Sequence, residues 1–314
     1  MEIINQYHEY LGVCPMDVKQ NLKNIELFAR ECYQSQDRVT PDSYNTFCAM
    51  LQKRKHTAML EHSNIVMRLA PAPSRMMPRK EVLHDMFVRC ISTLNSKFLR
   101  FVIVPEMDCM YIGGNIRAWM EEIGYDRDLI DIGEAIRDSL RYRCISAQWV
   151  MQDISMVRPA EFYPEELTRI SVRFITNRAM THELIRHRMD VAFAQLSQRF
   201  VRHTGDIKFI QPVGMEDNVE FMDIFKKSCA YAELQYQALL ATKRYTPQQA
   251  RNVLTNAVSS RIVMTTDLEE WEHIFKLRCA PDADPQMQDL MCPVRDLFIK
   301  RRNVGGTHVQ ETCI

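Results

Sequence analysis

Glycine is scarce in this sequence, with nine in 314 residues against thirteen prolines. A hairpin-rich all-β fold needs more glycine in its turns, so helices are expected to carry much of the chain. Net charge is missing too, since 40 Lys and Arg balance 40 Asp and Glu. That argues against a general polyanion binder, so no nucleic-acid partner is expected, but a local anion site is allowed. The ten cysteines include no CxxC pair and no tight cluster. They read as reduced thiols, not as a disulfide framework or a zinc module. No run of 18 apolar residues exists, so no membrane span is expected. The opening MEIINQYHEY is polar and unlike a secretory signal, which points to a cytoplasmic protein. There is no internal repeat and no GxSxG elbow, and GGN at 113–115 is too short for a dinucleotide fingerprint.

What is present is a mixture of periods. Residues 15–35 keep helical spacing through Val18, Leu22, Ile25 and Ala29, and 43–60 read as helix as well. SNIVMRLA at 63–70 is short and β-branched, hence a strand, and PAPSRMMPRK at 71–80 is a proline-broken loop. Residues 98–107 and 110–114 suggest two strands around a turn, and NIRAWMEEIG opens a helix. Residues 127–152 read as mostly helical, followed by a loop at 153–165. KFIQP at 208–212 is a strand, and a long amphipathic helix follows over 215–243. Thr246 and Pro247 cap and start another helix, and Leu268, Trp271, Ile274 and Phe275 form the apolar stripe of a further one. The fold class is α+β.

The densest chemistry is THELIRHRMDVAFAQLSQRFVRH, residues 181–203. Residues 171–189 fit a helix, with Ile175, Ala179, Leu184 and Ile185 near one face. Beyond Met189, Val191 and Phe193 alternate with Ala192 and Ala194, which suits extended chain. Cations at a helix C-terminus are mildly favourable, by about 0.3–1 kcal/mol. That bland reading does not suffice for Arg186, His187 and Arg188. Successive helical residues point about 100° apart, so three adjacent cationic groups cannot all face water while Leu184, Ile185 and Met189 pack inward. Gln195, Ser197 and Arg199 then fall on alternate positions, an amide, a hydroxyl and a guanidinium suited to a phosphate and a base edge. An anionic ligand is the economical inference. His182, Glu183 and His187 spell HExxxH, but the histidines are five apart, about 140° around the axis, so they are not a zincin pair and no metal is expected.

RHR followed by AFAQLSQRF resembles the signature of flavin-dependent thymidylate synthases. FARECYQS at 28–35, KHTAMLEHSNIVMRL at 55–69, GGNIRAW at 113–119, ARNVLTN at 250–256 and TTDLEEWEHIFKLR at 265–278 are similar to further elements of that family, in family order. The resemblance implies a single domain over 1–314 built on a twisted, mainly antiparallel sheet flanked by long helices. It implies a helical insertion at about 116–165 and a flexible or docking tail at 300–314. It implies a homotetramer with sites at subunit interfaces. It also implies the reaction: dUMP to dTMP, with methylene-tetrahydrofolate as one-carbon donor and NADPH-reduced FAD as hydride source. By position, Glu183, Arg186, Gln195, Ser197, Arg199, Arg251 and Arg278 are expected to bind the nucleotide, with Ser197, Arg199 and Arg278 acting in catalysis. Cys32, His56, Glu61, Arg186, His187, Arg188, Asp267 and His273 are expected on the cofactor side.

The sequence also departs from the family pattern. Eight residues, MDVAFAQL, separate RHR from the serine where the family has seven, and the extra one falls near Met189 to Val191. Ala192 stands where a serine is usual, Thr255 where a proline is, and Asp267 where an asparagine is. Glu269 and Glu272 stand where arginines are common, and such carboxylates are expected to repel a pyrophosphate. The departures leave two alternatives: transfer of a different one-carbon unit, such as hydroxymethyl, to dUMP or another pyrimidine nucleotide, and a nucleotide-binding homologue without catalysis.

Overall fold

In the computed structural model, residues 1–71, 78–145, 151–203 and 205–304 are described. The chain starts with strands β1 (Glu2–Ile4) and β2 (Tyr7–Val13) and helix α1 (Val18–Glu31). Helix α2 (Ser43–Lys53) and a 3-10 turn (Thr57–Glu61) lead to β3 (Ile65–Pro71) and α3 (Arg79–Thr93). Strands β4 (Arg100–Val104) and β5 (Cys109–Gly114) form a hairpin, followed by α4 (Ile116–Ile123), α5 (Ile132–Cys144) and β6 (Met151–Met156). Strand β7 (Arg169–Asn177), α6 (Arg178–Leu184) and β8 (Ala192–Gln195) carry the basic segment. Then come β9 (Lys208–Ile210), α7 (Val219–Ala241), α8 (Pro247–Ala250), β10 (Ser259–Asp267), α9 (Leu268–Arg278) and α10 (Pro285–Val304).

The architecture is α+β. The strands form two four-stranded antiparallel sheets, β2-β7-β10-β8 and β4-β5-β3-β6, plus the parallel pair β1-β9, where a single sheet was expected. Three strands run straight into helices through an Asn or Asp cap. Asn115, Asn177 and Asp267 accept from the backbone N–H groups of Ala118, Met180 and Glu270, satisfying donors that the first helical turn leaves open. Thr246 and Gln249 form the reciprocal capping box on α8, with Pro247 in its first turn.

Three expectations are corrected. Residues 171–189 are not one helix: 169–177 is a strand, and α6 is only seven residues long. The strand is buried on both faces, so its apolar residues do not alternate cleanly and imitate a helical face. The helix expected over 127–152 ends at Cys144, and Met151–Met156 is a strand paired with β3, so the insertion at 116–165 is not wholly helical. Lys300 to Val304 continue α10; the rest of the expected tail, and most of the proline loop at 71–80, lie outside the described residues.

Buried polar contacts tie the sheet of β7 and β10 to the turn that precedes β3. His62 Nδ1 and Thr265 Oγ1 are 2.7 Å apart, and Thr265 in turn meets Ser171 Oγ at 2.7 Å. Arg169, 3% exposed, forms an ion pair with Asp190. It also donates to the carbonyls of Glu61 (3.4 Å) and Asp190 (3.3 Å). Burial opposes the guanidinium charge, and Asp190, Cys14 and Asp267 together more than offset it.

Two outcomes follow from these contacts. Asp190→Ala leaves a buried guanidinium unpaired and should cost about 3–5 kcal/mol in urea unfolding, while the double change with Arg169→Met should recover much of that loss. Burial pushes His62 from near 6.5 down to about 3. Its folded pKa lies below its unfolded pKa, so its contribution is intact above about pH 6.5 and is lost as pH falls toward 3. Between pH 7.5 and 5.5 this histidine alone should cost about 1.4 kcal/mol. His62→Gln should remove that share of the pH dependence, measured by urea melts at both pH values.

Candidate active site

The RHR group lies just past α6, where the chain leaves helical geometry. Arg186 and His187 still close turns onto the carbonyls of Glu183 and Leu184, both at 3.2 Å. This resolves the crowding of three adjacent cationic residues. Arg186 and Arg188 face solvent, while His187 turns inward and is 6% exposed. Burial, then Arg278 and His273, push its pKa down to about 4, so it sits there as a neutral ring. Arg278, the last residue of α9, reaches across to it. Its Nε donates to His187 Nε2 at 2.9 Å, and its other nitrogens donate to the Glu183 carboxylate (2.8 Å) and carbonyl (2.9 Å). Glu183, His187 and Arg278, expected from sequence to share a site, are therefore in direct contact. His273 joins them edge-on to His187, with ring centroids 6.2 Å apart.

A second group forms around the segment after β8. Gln195 ends that strand and donates through Nε2 to Thr181 Oγ1 (2.9 Å) and Ser260 Oγ (3.3 Å). The extended stretch stops there: Ser197 lies in irregular chain and Arg199 in a turn, so strand alternation does not align the three. Hydrogen bonds hold them instead. Ser197 N donates to the Cys32 carbonyl at 2.9 Å, and Arg199 N donates to Ser197 Oγ at 3.3 Å. Arg199 Nε donates to Gln248 Oε1 at 2.8 Å. Arg251 lies one turn beyond Gln248, and after burial its charge is what depresses the pKa of Arg178. Arg178, Arg199 and Arg251 thus gather about α8, and none has a carboxylate partner among the described residues. Sequence reasoning missed Arg178, because the segment holding it read as mid-helix; it opens α6 directly behind the Asn177 cap. Gln248 carried no motif signal.

A cleft of about 180 Å³ is lined in part by Glu61, Asn115, Arg117, Arg188 and Asp190. It brings together Glu61 and Arg188, both expected on the cofactor side. Burial raises the pKa of Glu61, although its ion pair with Arg117 opposes the rise. Asp267 is buried and structural: one oxygen caps α9, and the other lies 2.9 Å from Arg100. The acids expected to repel an anion are already paired. Glu269 meets Arg100 at 2.6 Å, sharing it with Asp267, and Glu272 meets Arg302 at 2.5 Å, sharing it with Glu165, which lessens that repulsion. The Cys32 thiol is pushed up to about 11 by burial and is no nucleophile; its carbonyl is the useful atom. His56 is exposed and makes no side-chain hydrogen bond among the described residues. A cavity of about 430 Å³ beside α9 and α10, floored by Phe275 and Phe298, contains none of the expected site residues.

The family model for thymidylate synthase complementing protein matches residues 155–301, the span that holds α6, the segment after β8, Arg251 and Arg278. A flavin-dependent thymidylate synthase of Mycolicibacterium vanbaalenii is 37% identical over 128 residues, which covers 36% of this chain and 50% of the relative. The enzymes of the same name from Mycobacterium tuberculosis and Mycolicibacterium gilvum are 34% and 36% identical with the same coverage. The chain spans about half the length of the curated relatives it matches. No helix among the described residues is long and apolar enough to cross a membrane. These matches fall on the segment that carries the basic cluster, and over it the chain is similar to flavin-dependent thymidylate synthases.

Proposed function

We propose that this protein converts dUMP to dTMP, with methylene-tetrahydrofolate as the one-carbon donor and NADPH-reduced FAD as the hydride source. The observation that carries the reading is the gathering of Arg178, Arg199 and Arg251 beside Ser197 and Gln195 with no carboxylate partner among the described residues. Guanidiniums brought together without counter-charge repel one another, and a monophosphate removes that repulsion through bidentate hydrogen bonds. Ser197 offers a hydroxyl to a further phosphate oxygen, and Gln195 an amide to the base edge. Arg278 is held against Glu183 and His187; turned toward the uracil carbonyl, it stabilises the charge that develops as C5 becomes nucleophilic. The family name carried by the relatives supports the choice of reaction.

The residues present fit an anionic dinucleotide cofactor. Arg186 and Arg188 are exposed and have no carboxylate partner among the described residues, and Glu269 and Glu272 on α9 are paired with Arg100 and Arg302. Arg186 and Arg188 would hold the pyrophosphate, with His187, His273 and Glu61 on the same side. Reduced FAD bound there would supply the hydride, while the protein positions and polarises the nucleotide. A homotetramer in the cytoplasm, with sites at subunit interfaces, belongs to the same proposal.

A second reading, transfer of a different one-carbon unit, is favoured by one observation. The extra residue falls where Asp190, at φ +54°, is anchored to Arg169, and this sets the spacing of His187 and Ser197. Mass spectrometry of the product formed with dUMP, methylene-tetrahydrofolate, NADPH and FAD separates the readings. A methylated product supports the first and a hydroxymethylated product the second. Stabilisation by nucleotide without turnover rejects both in favour of a binding protein. Arg199 is exposed and, among the described residues, hydrogen-bonds only Gln248 and its own turn, so Arg199→Ala should leave the melting temperature unchanged. It should weaken dUMP binding about tenfold or more, since a charge-assisted bond is worth about 1.5–3 kcal/mol. Unchanged affinity by calorimetry would remove Arg199 from the site.

A further inference from the structure

His187, Glu270 and His273 bring three donor atoms within 4.8 Å of one another, from two elements that no sequence motif connects. We propose that these residues form a binding site for a divalent first-row transition metal ion. Glu270 and His273 stand three apart on α9 and so share one face of that helix. Glu-x-x-His pairs of this spacing supply metal ligands in helical bundles. His187 approaches from the turn after α6, and its Nδ1 is 3.9 Å from Glu270 Oε1.

The Glu270 carboxylate is the strongest indication. It is 7% exposed, and among the described residues its oxygens accept no hydrogen bond. A carboxylate so nearly buried without a protein partner favours a cation in the gap between it and the two rings. Two imidazoles and one carboxylate suit zinc, cobalt, nickel or iron(II), whereas magnesium and calcium prefer oxygen donors throughout. Bonds of about 2.0–2.2 Å in a tetrahedral site need donors about 3.4 Å apart, so the group must close by roughly an ångström. His273 is exposed and free to make that movement. Three protein ligands leave the fourth position open to water or substrate.

Arg278 governs access. It donates to His187 Nε2, which places the ring proton on Nδ1, the atom the metal needs. Metal binding at Nδ1 shifts that proton to Nε2, where it faces Arg278 Nε–H and drives the guanidinium off the ring. If Arg278 serves the nucleotide as proposed above, metal and monophosphate then favour each other's binding.

The test is a Zn2+ titration of the EDTA-treated full chain by calorimetry, with Co2+ as an optical probe. One equivalent should bind and raise the melting temperature. Glu270→Gln and His273→Ala should each weaken binding tenfold or more. His273 is exposed, so its variant should fold. His84→Ala, a change at an exposed histidine on α3, should bind as the wild type does. Absence of stoichiometric binding, or equal binding after both ligand substitutions, overturns the site. The titration contains no nucleotide, so its result stands apart from the dUMP reading. Added dUMP should then tighten Zn2+ binding, and an unchanged affinity overturns the Arg278 coupling.

Discussion

A guanidinium buried at the start of a central strand dictates much of this molecule. Arg169 cannot shed its charge, so the chain must bring it partners. The partners come from far apart in sequence: the Asp190 carboxylate, and carbonyls of the turn before β3 and of the loop after α6. Removing any of them leaves polar groups unpaired where water cannot reach. The neighbouring chain of His62, Thr265 and Ser171 meets the same demand with neutral groups. Asp190 takes a left-handed backbone to reach its partner, a conformation that Asp tolerates better than most residues. The residue that looked like an irregular insertion in the signature is where the signature is anchored to the sheet.

With that anchor fixed, the short helix α6 acts as a two-sided mount. Its first turn presents Arg178 and Thr181 toward the guanidinium group and Gln195. Its last turn presents Glu183 to Arg278. The helix is only seven residues long, so a shift of it moves both groups together. Burial sorts the RHR group, keeping the histidine neutral and inward and its arginines charged and outward. A neutral inward histidine is what allows one ring to serve as an acceptor for Arg278 and as a candidate metal ligand.

Parts of this were legible in the sequence. The alternation Val191, Ala192, Phe193, Ala194 marked β8, because Ala192 and Ala194 face the interior while Phe193 and Gln195 are partly open. Thr246 and Pro247 marked a helix start by local stereochemistry alone. Other parts were hidden. Strand β7 is covered on both faces and lost the period that identifies a strand. The acids at 269 and 272 looked repulsive because their arginines, at 100 and 302, are remote in sequence.

The sequence by itself determined the composition-level class, the local caps, the basic segment and its family likeness, since each depends on residue types within a turn or two of one another. The tertiary structure alone decided which charges are neutralised and which are left without counter-charge. Those pairings join residues 21, 91 or more than 160 positions apart, and burial sets their energies. Arg278 beside His187, and Arg178 beside Arg251, become chemistry only once the chain has folded.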